Sequence, residues 1–132
     1  MASIFSRIIS GEIPSYKVAE DEYFFAFLDI NPLKKGHTLV VPKKETDYIF
    51  DIDDETLALM ILFSKKVAAG IRAAYPCNRV GVAILGLEVP HAHIHLVPMD
   101  SMEDINFKNP KLKFSSEEFR EIAGKISSNI TI

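Results

Sequence analysis

His91-Ala92-His93-Ile94-His95-Leu96-Val97 places three imidazoles at alternating positions with apolar residues between them. In an extended strand, successive side chains point to opposite faces, so the pattern predicts a strand over 91–97 with His91, His93 and His95 on one face and Ala92, Ile94 and Leu96 on the other. Pro90 and Pro98 flank the run and are expected to bound it, because proline is tolerated mainly at strand ends and edges. Packing alone does not select three neighbouring imidazoles. Buried, their nitrogens need partners; exposed, they gain little from strand propensity.

Two chemistries remain open. A metal site can draw on His91 and His93, or His93 and His95, with His37 as a third ligand. All three triad histidines cannot share one ion, since His91 and His95 lie about 13 Å apart along an ideal strand. Alternatively, the central His93 is a nucleophile. One nitrogen of a neutral imidazole attacks an electrophile such as phosphorus while the other donates a hydrogen bond, and the flanking imidazoles steady the developing phosphoryl charge.

Working outward, residues 79–85 read as a strand and 86–90 as a loop. Upstream, Leu57, Ile61, Ser64, Val67, Ala68, Ile71 and Tyr75 recur at intervals of three and four, predicting a long helix capped by Asp53 or Asp54 and stopped before Pro76. Leu59, Met60, Leu62 and Phe63 widen its apolar stripe, as expected for a helix that packs on its own sheet and on a second subunit. The first half of the chain is mostly sheet: a helical turn at 4–9, a hairpin of 16–19 and 23–28, and a third strand at 37–41 ended by Pro42. Residues 100–113 read as irregular. Ser115 with Glu118 forms a capping box, and Phe114 with Phe119 a hydrophobic staple, for a last helix.

The 132 residues, 48% hydrophobic and 25% charged, fit one domain spanning 1–132. A net charge of -3 without a basic block speaks against a nucleic-acid partner and leaves a small anionic ligand compatible. The lone Cys77 excludes an intrachain disulfide framework, and no apolar stretch is long enough to span a bilayer. A cytoplasmic protein without membrane partners is the expectation.

The triad resembles the His-φ-His-φ-His-φ-φ signature (φ, apolar) of the histidine triad family, with a pattern similar to its Hint-like bacterial branch. Gly36-His37-Thr38-Leu39-Val40-Val41-Pro42-Lys43-Lys44 resembles the family's second patterned segment, and Ile4-Phe5 through Asn31-Pro32 follows its N-terminal half. The likeness covers residues 3–98, with 99–132 as a C-terminal extension carrying a helix. It implies an α+β fold: an antiparallel sheet of about five strands, one long helix and a C-terminal helix, commonly as a homodimer joined through the long helix and a sheet edge.

It also implies nucleotidyl chemistry without a cofactor. A nucleoside 5'-monophosphate, typically AMP, would be released from a phosphoramidate-like derivative through a nucleotidyl-histidine intermediate. By matching positions His93 is the nucleophile, His91 orients it, His95 and His37 contact phosphate oxygens, and Asp29 binds the ribose hydroxyls. Phe5, Ile8, Ile13, Phe27 and Ile30 match the apolar base pocket; packing in the core is an equal alternative for them. Leu87, Glu88 and Val89 fall in the phosphate loop.

Some members hold a structural zinc with a Cys-x-x-Cys near the N-terminus and a histidine after the Pro-Lys segment. Here Ser3, Ser6 and Glu45 stand at those positions, so no metal is expected. The loop Val82-Ala83-Ile84-Leu85-Gly86-Leu87-Glu88 is shorter than in many members, with Leu87 in place of a glutamine and Glu88 in place of a serine or threonine. Two other functions stay open: hydrolysis of dinucleoside polyphosphates, and a nucleotide-binding or interaction module with weak or lost catalysis.

Overall fold

The computed structural model describes residues 2–131. Its order is α1 (Ile4–Ile9), β1 (Lys17–Glu20), β2 (Phe24–Leu28), β3 (Thr38–Pro42), α2 (Asp54–Ala74), β4 (Arg79–Ala83), β5 (Ile94–Met99) and α3 (Ser116–Ser127), with single 3-10 turns at Ile49–Asp51 and Met102–Ile105. Antiparallel pairing joins the strands in the order β1-β2-β3-β5-β4, which leaves β1 and β4 at the edges. The α+β fold expected from the resemblance is thus the one observed.

The unbroken apolar run of β2 follows from burial on both sides of the sheet. Phe24, Ala26 and Leu28 join Val40, Ile94 and Leu96 in the larger core, covered by Met60, Phe63, Val67 and Ile71 of α2 and by Phe119, Ile122 and Ile126 of α3. Phe24, Met60, Ile71, Ile94, Leu96 and Ile126 are almost completely buried, each contributing ~1.5–3 kcal/mol through water exclusion. On the opposite face Phe25, Phe27, Leu39 and Val41 make a smaller cluster with Phe5 of α1. The histidines lie on this second side.

Local signals set the helix ends. Asp53 caps α2 by accepting from the Thr56 N–H, and Tyr75 ends it before Pro76. Ser115 and Glu118 form the reciprocal capping box of α3, with Phe114 and Phe119 edge-on at 5.4 Å as the staple. Gly70 lies where α2 meets the end of α3; a Cβ there would collide with Ile130 and crowd the Ile126 carbonyl.

The histidine segment departs from the expected strand. β5 begins at Ile94 and runs through Pro98 to Met99, so His91 and His93 precede it. Ladder pairing with β3 starts only at Val40↔Ile94. Ahead of it the backbone bonds to loops instead: the His91 N–H donates to Val89 O and the Ala92 N–H to Thr46 O. Pro98 is tolerated because β5 has there passed the end of β3 and pairs only with Val80 of β4. The irregular stretch after β5 also contains one ordered turn, Met102–Ile105, that composition did not signal.

Candidate active site

All four histidines are buried, and each ring nitrogen of His37 and His91 has a partner that determines where its proton sits. Gly36, in the left-handed region at φ 103°, turns the chain into β3 and delivers His37 to the sheet. The Leu33 N–H donates to His37 Nδ1 at 3.0 Å, so that nitrogen carries the lone pair and Nε2 the proton. His37 Nε2–H therefore donates to His95 Nδ1, 2.9 Å away, which leaves His95 Nε2–H free to face a ligand. Burial, with the neighbouring imidazole second, holds His37 down to about 3 and His95 to about 4. Both rings are neutral near pH 7.

His91 reads the same way. Its Nε2 lies 2.8 Å from Pro42 O, which can only accept, so Nε2 is the donor and Nδ1 accepts from the Ser3 hydroxyl at 2.7 Å. Burial lowers its pKa, and it too is neutral. His93 Nδ1 is 2.8 Å from the His91 carbonyl oxygen and must carry its proton. In the neutral ring, Nε2 of His93 then holds an unprotonated lone pair. The ring is set edge-on between Phe5 and His95, with centroids 5.0 Å from each. A cavity of about 270 Å³ opens beside it, lined by Tyr48, Phe50, Ile84 and Leu85.

Asp29 follows the end of β2. Its Oδ1 accepts from the Asn31 N–H at 2.8 Å and its Oδ2 is 3.6 Å from His37 Nε2; burial raises its pKa. Asp29, His37 and His95 are close enough together to resemble a metal-binding set. The proton count argues against that use, because the only His37 nitrogen facing the group is the protonated one. Among the described residues His37 converges with one triad histidine, His95, and not with two: His93 falls outside that group and His91 turns to Ser3.

The other expected residues are distributed unevenly. Phe5 and Phe27 are buried together, ring to ring at 5.5 Å, with Ile8 and Val89 packed against their cluster. Ile13 is half-buried on the loop after α1, and Ile30 is 63% exposed. Leu87, 92% exposed, and Glu88 project from the loop and bring no polar group to the histidines. His37 also differs from its expected contact with phosphate: both its nitrogens are engaged within the protein, so it reaches a ligand only through His95.

Residues that no motif announced complete the site. Phe107, from the irregular segment after β5, stands edge-on to His95 at 4.8 Å and walls the site. Lys111, held by the Phe107 and Asn109 carbonyls, adds positive potential at Asp29 and His37. An aromatic in a polar run was the one available signal for Phe107. Glu45 accepts from the Ser3 N–H at 2.6 Å and the Ser6 hydroxyl at 2.8 Å, bonds that hold its carboxyl down at about 2.

Comparison with known proteins bears on the family and the fold. Residues 10–102 match the family described as HIT domain. An uncharacterized HIT-like protein of Borreliella burgdorferi is 38% identical over 96% of this chain and 97% of its own length. The adenosine 5'-monophosphoramidase of Schizosaccharomyces pombe is 35% identical over 98% of this chain and 99% of its own. A crystal structure of a HIT-like protein from Bartonella henselae superposes with a TM-score of 0.84 at 33% identity, covering 97% of this chain and 96% of that one. With its four buried histidines gathered beside a five-stranded antiparallel sheet, this chain belongs to the HIT, or histidine triad, family.

Proposed function

We propose that the protein hydrolyses nucleoside 5'-monophosphate conjugates, with AMP phosphoramidates as the leading substrates, through His93. The observation that carries this is the bond from His93 Nδ1–H to the His91 carbonyl, which leaves Nε2 as a nucleophile. In the first step the Nε2 lone pair forms a bond to the α-phosphorus and the bond from phosphorus to the leaving nitrogen breaks, the nitrogen taking a proton from solvent to depart as the neutral amine. The His91 carbonyl then steadies the positive charge gained by the ring. His95 Nε2–H donates to a non-bridging phosphoryl oxygen, held in that role by His37. In the second step water attacks phosphorus, the P–Nε2 bond breaks with its electron pair returning to Nε2, and the attacking water gives up a proton to solvent as AMP leaves.

Asp29 is assigned to the ribose hydroxyls, and Phe5, Ile8, Phe27 and Ile30 to the base, with Ile13 at its margin. Support from relatives lies in the name of the fission yeast protein, an adenosine 5'-monophosphoramidase. Two copies are proposed to pair through edge strand β4 and the outer side of α2, where Val82, Leu59, Ile61 and Leu62 are exposed apolar residues. No described helix is long and apolar enough to cross a membrane, and the proposed reaction is assigned to the cytoplasm.

The test is incubation with adenosine 5'-phosphoramidate, following AMP release and the nucleotidyl adduct by mass spectrometry. Turnover that survives chelation and disappears in His93→Ala is the expected result. Loss of turnover on chelation overturns the proposal in favour of a metal mechanism. Binding without turnover or adduct overturns it in favour of a nucleotide-binding module, the reading favoured by the exposed, apolar Leu87 in the loop.

A further inference from the structure

Three side chains unused in the proposed reaction meet at His91, at the positions where some family members hold zinc. Their donor set is two hydroxyls, from Ser3 and Ser6, and one carboxylate oxygen, Glu45 Oε1, already accepting two hydrogen bonds. Structural zinc sites are built from thiolates and imidazoles, and here only His91 qualifies. These residues do not fit the ion.

They fit another task. His91 is fully buried, and its Nε2–H is committed to Pro42 O, so Nδ1 requires a donor inside the protein. The Ser3 hydroxyl supplies it at 2.7 Å, while the Ser6 oxygen is 3.5 Å away. Ser3 is itself held by three hydrogen bonds: its Oγ accepts the Ser6 N–H at 3.0 Å, its N–H donates to Glu45 Oε1, and its hydroxyl proton goes to His91. The Ser6 hydroxyl closes the ring on Glu45. The Ser3 hydroxyl also lies 3.4 Å from the Ser6 oxygen, a longer and weaker alternative to its 2.7 Å bond with His91.

We infer that Ser3, anchored by Glu45 and Ser6, is a positioning residue that locks the His91 ring in its Nε2–H form and thereby aims the His91 carbonyl at His93 Nδ1. A hydrogen-bond cluster therefore does here, without an ion, the work of anchoring the first triad histidine. The same contacts tie α1, which carries Phe5, to the end of β3 across 42 residues of sequence. The effect on turnover rests on the reading of His93 as nucleophile; the effect on His91 does not.

The test combines ring ¹⁵N NMR of the full chain with kinetics on adenosine 5'-phosphoramidate. Ser3→Gly removes the hydroxyl yet keeps an acceptable helix cap. It is expected to shift the His91 ring signals away from a single Nε2–H form and to lower kcat about tenfold, with KM changed less than about twofold. Ser3→Thr, which keeps the hydroxyl, is expected to restore both, and Glu45→Ala, at an exposed residue, to move the same signals if Ser3→Gly fails to fold. Unchanged His91 signals in Ser3→Gly and Glu45→Ala overturn the inference, as does a loss of kcat without a shift at His91. Absence of turnover in the wild-type chain would sink the nucleophile reading alone, leaving the His91 signals to decide the positioning role.

Discussion

His37 and His95 share one hydrogen bond, Nε2–H to Nδ1 at 2.9 Å, and the direction of that bond is imposed by a backbone amide, the Leu33 N–H on His37 Nδ1. A peptide N–H cannot reverse its role, so the relay also fixes the proton of His95 on Nε2, the nitrogen left to face a ligand. His37 is therefore a second-rank group whose value lies in the state of its neighbour.

Replacing it tests that hierarchy. In His37→Ala, His95 loses the donor that fixes its tautomer, and kcat for AMP release is expected to fall roughly 10–100-fold while the His93 adduct still forms. Rapid-quench measurement of adduct formation and decay checks this; complete loss of the adduct would place His37 at the nucleophile itself.

Acid should unfold the site. His37 and His95 have folded pKa values of about 3 and about 4, below the ordinary 6.5, so the unfolded chain binds more protons as pH drops. Their stabilising contribution is full above about pH 6.5 and is lost progressively down to about pH 3–4. Calorimetry should show Tm falling by at least ~5 °C between pH 7 and pH 4.5. His37→Gln, lacking one of the two titrations, should flatten that fall.

Asp29→Ala is expected to raise KM for a ribonucleotide substrate about 10–100-fold and to erase discrimination against the 2'-deoxy analogue. Paired kinetics on the two substrates measure this. Retained discrimination would assign the ribose contact elsewhere.

A helix-interior glycine usually gains ~1 kcal/mol on replacement by alanine. At Gly70 the sign should reverse, because the new Cβ meets Ile130 and the Ile126 carbonyl. Gly70→Ala is expected to destabilise by ~1–3 kcal/mol in urea unfolding, and a gain in stability would show that the end of α3 yields freely.

The proposed pairing through β4 and α2 places Val82 and Leu62 at its centre. Light scattering should give a dimer for the wild-type chain and a monomer for Val82→Glu/Leu62→Glu, with folding retained since both residues are more than half exposed. A wild-type monomer would end that proposal.

Much of the fold was legible in the sequence because its signals are local. The periodicity of α2, the Ser115–Glu118 capping box and the apolar run of β2 involve residues within a few positions of one another, where backbone geometry alone links side chains to structure. The alternation of His91, His93 and His95 also announced a site, since packing does not call for three imidazoles. Its weakness was the strand boundary. Alternation cannot reveal that β3 pairs no earlier than Ile94 and that loop carbonyls take over ahead of it.

By itself, then, the sequence determined most of the secondary elements and the family pattern, and it singled out the histidines to which the chemistry is assigned. Only the tertiary structure decided which nitrogen of each histidine holds its proton. Leu33 and the His91 carbonyl set His37 and His93 from nearby, but for His91 and His95 the choice depends on partners far away in the chain, Ser3 and Pro42 on His91 and His37 on His95, brought together by sheet order and burial. Short-range pattern has no access to such contacts, and a buried imidazole has no water to substitute for them.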